Sequence, residues 1–167
     1  MATKRRKPRA SRVQRGLPAI ENRQWAVRLE LARLERFLRR VNREMGLGPR
    51  CVFVGFVTDS EMTRLNQTFR KKAGTTDVLS FPSETRGRPA GLRRRVKALR
   101  GSFLGDIAIS PTVARRNAKT FGRTMTEEIC ILLLHGVLHL LGYDHEGDRG
   151  EMERVEARMR RRLGLSR

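Results

Sequence analysis

The first sign of chemistry in this chain is its histidines. His135, His139 and His145 are the only three, and all lie within the stretch HGVLHLLGYDH. His135 and His139 are four residues apart, so on a helix their rings stack on one face, one turn above the other. Gly142 follows where a helix can end on a left-handed residue, and the chain can then turn back to bring His145 to the same point. Three neutral imidazoles converging in this way make an open metal site, with the fourth position left for water.

Spacing alone leaves more than one enzyme class open. Histidines at these intervals with a glycine between the second and third match a metalloprotease layout, H-E-x-x-H-x-x-G-x-x-H. A protease of that kind uses the glutamate after the first histidine as its general base. Here that position is Gly136. Glycine moves no proton, so the pattern predicts a three-histidine metal hydrolase and disfavours a protease-like one. Asp144, beside His145, reads equally as a partner for a ligand ring or as a turn residue.

Several elements must position these rings. Thr124 and Glu127 form a capping box that opens a helix predicted to run through Leu141. That helix is apolar nearly all round, from Ile129 to Leu140, and therefore belongs at the centre of the fold. Cys51–Val57, Thr76–Phe81 and Phe103–Ile109 are β-branched or aromatic runs that read as strands. Thr58 and Glu61 predict a helix to about Phe69, with Arg70, Lys71 and Lys72 at its C-terminus, where the helix dipole favours cations. Ser110 followed by Pro111 opens another helix, to about Thr120. Leu31, Leu34, Leu38 and Val41, extended by Trp25 and Leu29, predict an amphipathic helix over 21–45. Asp148 with Glu151 predicts the cap of a last helix bearing Met152, Val155 and Met159.

Charge is unevenly spread. The 167 residues include 37 basic and 17 acidic side chains, a net of +20. Residues 1–16 hold seven basic residues and no acid, and so do residues 85–101. Without those fourteen, 23 basic residues face 17 acidic ones. The two strips suit a polyanion, because each phosphate contact releases counterions. Residues 1–20 read as a disordered basic arm, 21–167 as a single domain, and 84–101 as an exposed basic loop within it. No apolar run is long enough to span a bilayer, no signal peptide is visible, and Cys51 and Cys130 read as reduced core residues. The expected compartment is the cytoplasm, with no membrane partner.

Three segments, in this order, resemble those of a known family. LNQTFRKKAGTTDVLSFP (Leu65–Pro82), LGDIAIS (Leu104–Ser110) and HGVLHLLGYDH are similar to the signatures of YbeY, the bacterial rRNA maturation factors and metal-dependent endoribonucleases. The resemblance runs from about Val52 to Glu156. It implies an α/β (α+β) fold, a small mixed sheet of about four strands packed with about five helices, the histidine-bearing helix central. It implies one zinc ion at His135, His139 and His145, and Arg70 as the catalytic-cleft arginine that contacts RNA phosphate. It further implies single-stranded RNA as substrate, roles in maturing the small-subunit rRNA 3′ end and in ribosome quality control, and the small ribosomal subunit and its assembly factors as partners. The chain departs from the pattern after Arg70, where Ala73 stands in place of an acid, and in its two basic strips. A ribosome-assembly RNA-binding factor with a structural zinc is the alternative reading.

Overall fold

Strand Phe103–Ile109 is buried at every residue, as an inner strand covered on both faces must be. In the computed structural model of the chain it is the third of four strands. The description covers residues 19–47, 51–83, 103–143 and 149–165. Both basic strips, the N-terminal arm up to residue 18, His145, Asp144 and Asp148 lie outside it.

The strands are β1 (Ala19–Asn22), β2 (Cys51–Phe56), β3 (Val78–Pro82) and β4 (Phe103–Ile109). Their order is β1-β2-β4-β3. β1 pairs parallel with β2 and β2 with β4, while β3 runs antiparallel along the outer edge of β4. Being an edge strand is what lets β3 end in Pro82, which has no N–H to give to a ladder. The helices among the described residues are α1 (Leu31–Glu44), α2 (Asp59–Arg70), α3 (Pro111–Thr120), α4 (Met125–Leu140) and α5 (Glu151–Leu163). The expected α/β class, four-stranded mixed sheet and five helices are therefore all present.

Side-chain alternation assigns the two faces. Ile107 and Ile109 of β4, with Val52, Val54 and Phe56 of β2, join the main core with residues of α1, α3, α4 and α5. Ala108, Leu79 and Phe81 point the other way and pack on Met62 and Leu65 of α2. Four helices thus cover one face of the sheet, and α2 packs on the other.

The structure corrects the sequence reading at four places. Residues 19–22, assigned to the end of the arm and the start of a helix, form β1, and the helix begins only at Leu31. In between, the Gln24 side chain bonds Asn22 Oδ1, the Val27 carbonyl and the Val27 amide, holding a local turn. Trp25 is 86% exposed and no part of the apolar stripe. The Thr58 box is half-made: Thr58 accepts from the Glu61 amide, but the Glu61 carboxylate takes the Arg23 guanidinium at 2.9 Å instead. Finally, the N-cap of α5 is Gly150, with no side-chain cap hydrogen bond.

Candidate functional site

Between Glu128 and Leu140 every residue of α4 is buried except two, His135 and His139. A helix enclosed in this way is held by its neighbours, and beyond its first turn the two rings are where it is not fully buried. Its start is fixed by the expected capping box: Thr124 accepts from the Glu127 amide while the Glu127 carboxylate accepts from the Thr124 amide. Its end is a Schellman turn. Tyr143 N–H bonds the Leu138 carbonyl at 3.2 Å, Gly142 N–H bonds the His139 carbonyl at 3.0 Å, and Gly142 has φ +91°. The chain therefore leaves the helix directly after the second histidine, on the glycine singled out from the sequence.

Gly136 has a packing reason as well as a chemical consequence. A Cβ there would lie 2.8 Å from Ile107 Cδ1 and 3.0 Å from its Cγ2. The Gly136 carbonyl also accepts from the Ser80 hydroxyl of β3, at 3.2 Å. The position where a metalloprotease carries its glutamate is here pressed against the sheet. Any side chain there would have to displace Ile107.

The two rings meet edge-on, with centroids 4.7 Å apart and planes at 75°. Their Nε2 atoms are 3.1 Å apart. That separation is what two ligands of one ion show when each nitrogen is about 2 Å from it, so the pair fits a metal of the kind that imidazole prefers. Among the described residues no third His, Cys, Asp or Glu completes a metal-binding group. The expected third ligand, His145, belongs to the connection between α4 and α5 that lies outside the description.

A residue the sequence reading missed stands behind the pair. Glu156 of α5 is 7% exposed and places Oε2 3.1 Å from His135 Nδ1. Its other oxygen accepts from the Arg160 guanidinium, one turn further along α5. Burial works against the charge on Glu156, but the hydrogen bond with His135 and the nearby Arg160 outweigh it and hold the carboxyl below the ordinary carboxylate range. The available signal was its position: Glu156 shares the buried face of α5 with Met152, Met159 and Leu163. A carboxylate in such a stripe needs partners.

Arg70 is placed elsewhere. It is the last residue of α2, exposed, and followed by Lys71 in the left-handed conformation at φ +57°. Its neighbour Phe69 stacks edge-on against Phe81 of β3, centroids 5.1 Å apart. A cleft of about 420 Å³ opens on this face of the sheet between α2 and the strands, lined in part by Arg23, Arg64, Phe69 and Asp106. Cys130, the free thiol of α4, is buried as expected, and burial pushes it up to about 12.

The chain is thus an α/β domain whose central, largely buried helix carries a half-buried histidine pair. The sequence profile of the family described as "Endoribonuclease YbeY" matches residues 19–164. The chain belongs to this family. It is similar to the endoribonuclease YbeY of Solibacter usitatus, 49% identical over 133 residues, which is 79% of this chain and 78% of that one. It is also similar to that of Koribacter versatilis, 41% identical over 132 residues, 79% of this chain and 76% of that one. Among solved structures, the solution structure of a Thermotoga maritima protein matches with a TM-score of 0.57 at 26% identity, covering 88% of this chain and 89% of the other. No helix among the described residues is long and apolar enough to cross a membrane.

Proposed function

We propose that this protein is a zinc-dependent endoribonuclease that cuts single-stranded RNA and acts in small-subunit rRNA 3′-end maturation and ribosome quality control. Membership of a family named for endoribonuclease activity supports RNA cleavage. The observation that carries the metal part is the 3.1 Å approach of the two Nε2 atoms on two half-buried rings of an otherwise largely buried helix. His135 and His139 would hold the ion, with His145 as the third ligand. When bound, zinc supplies Lewis acidity toward the phosphodiester and makes water a nucleophile near neutral pH. The chain's own part is to fix the two rings through α4, keep one side of them dry, and offer phosphate a cation in Arg70, whose charge opposes that developing on the scissile group. The small ribosomal subunit and its assembly factors are the proposed partners, and the cytoplasm the proposed compartment.

The test is elemental analysis of the purified protein together with a cleavage assay on single-stranded RNA. About one zinc per chain and cleavage abolished by chelation are expected. A metal-free preparation with full activity overturns the reading. The net charge of +20 favours one alternative, a binding factor whose zinc is structural. In that case the zinc-loaded protein binds RNA without cutting it.

A further inference from the structure

Why two imidazoles should face each other through their Nε2 atoms is not settled by helix spacing. A neutral imidazole carries its proton on one nitrogen only, and the other nitrogen then offers a lone pair. Free of neighbours, a ring at position 135 could carry the proton on either side. With the proton on Nε2, the ring would present a donor to His139 and could not act as a ligand through that atom.

The group behind the ring decides the matter. Glu156 Oε2 lies 3.1 Å from His135 Nδ1, and an ionised carboxylate only accepts. The favourable arrangement is therefore Nδ1–H donating to Glu156, which leaves the Nε2 lone pair directed at His139. Glu156 is itself held. Its second oxygen takes the Arg160 guanidinium, and both residues rise from the same face of α5, which packs on α4. Arg160 keeps this bond although its Nε is buried with no partner among the described residues. The guanidinium is thus oriented toward Glu156 at the expense of one of its own donors.

We propose that Glu156, clamped by Arg160, is a positioning residue that holds His135 in the Nδ1–H tautomer and so presents Nε2 as a lone pair to a shared ion. The chain Arg160–Glu156–His135 is set before any ion arrives. Toward zinc the proposal rests on the metal reading above; the tautomer itself does not.

Heteronuclear NMR of the full-length chain, labelled with nitrogen-15 in histidine, tests both parts. With three histidines in the chain, each ring can be assigned from the corresponding alanine variant. In the protein before zinc is added, His135 is expected to carry its proton on Nδ1. Glu156→Ala should shift it toward the Nε2–H form, with the amide spectrum otherwise retained. Glu156→Gln keeps an accepting carbonyl and should keep the tautomer; it serves as the check should the alanine variant fold poorly. Zinc affinity, read by competition with a chromophoric chelator, should fall about 10- to 100-fold in Glu156→Ala, and less in Glu156→Gln and in Arg160→Met. Finding Nε2–H on His135 in the unaltered chain overturns the proposal. So does a Glu156→Ala protein with unchanged zinc affinity. If the unaltered chain binds no zinc, the metal reading and the role toward zinc fall together, while the spectra still decide the tautomer.

Discussion

The two faces of the sheet carry the two halves of the expected chemistry under opposite conditions. On one face, α1, α3, α4 and α5 close over β2 and β4, and the histidine pair sits on a helix buried at every other residue from Glu128 to Leu140. His135 meets Glu156, itself held by Arg160, through Nδ1 and His139 through Nε2. On the other face, α2 packs on Leu79, Phe81 and Ala108, and Arg70 ends it in solvent. The contrast matches what each group is asked to do. Ligands of one ion must agree to within about half an ångström. Arg70 is instead an exposed cation at the end of α2, presented to phosphate from the surface.

Removing a ligand should have the largest effect. His139→Ala takes away one of the two Nε2 atoms and, with its ring only half-buried, little packing. Cleavage of single-stranded RNA is expected to fall at least ~100-fold and bound zinc to disappear, with the melting temperature nearly unchanged in the metal-free proteins. Retained cleavage in a metal-free His139→Ala protein would break the assignment of chemistry to this face.

Arg70→Ala should come next, and act differently. Cleavage should drop about 10- to 100-fold while zinc content and unfolding midpoint stay as they were, since the side chain is exposed. If RNA affinity falls and cleavage per bound complex does not, Arg70 is a binding residue only. If the variant loses zinc, the separation of the two faces is wrong.

Gly136→Ala probes how tightly the histidine helix sits on the sheet. Two effects oppose each other. Alanine favours a helix interior by up to about 1 kcal/mol, but its Cβ would approach Ile107 Cδ1 to 2.8 Å. Ile107 is 1% exposed, with little room to yield, so the clash should win and leave the protein about 1 kcal/mol less stable. Ile107→Val removes the offending Cδ1. The double variant should therefore be more stable than the sum of its parts in urea unfolding; strict additivity would mean that Ile107 is not what excludes a side chain from this position.

How much of this was legible in the sequence follows from how local each signal is. β4, α3 and α4 were read nearly to the residue, because Ser110–Pro111 and Thr124–Glu127 mark their starts within a few positions. β1 was not. AIEN is four residues without alternation, and what makes it a strand is pairing with β2, more than thirty residues away. The same division holds at the site. His135 and His139 are four apart on one helix, and spacing alone brought them together. Glu156 reaches His135 across 21 residues of chain, and only the docking of α5 against α4 reveals it. Gly136 could be read as the absence of a base, but its contact with Ile107 needed the sheet.

The smallest effect is expected on the face of α2. Arg23 bridges Glu61 at 2.9 Å and Glu21 at 3.1 Å, and its side chain is 32% exposed. On the opposite face Arg123 meets Glu128 at a similar 3.0 Å, but with side chains only 16% and 4% exposed. Equal distances do not imply equal worth, because water reaches the first pair more freely than the second. Arg23→Met should cost less than about 1 kcal/mol, and the loss should shrink further at high salt. Arg123→Met strands a buried carboxylate and should cost about 3 kcal/mol. Measured side by side by urea unfolding, the two variants compare the faces directly. Equal losses would mean that the face of α2 is as closed in solution as the face that carries the histidines, and that Arg70 ends a helix no freer than the one beneath His135.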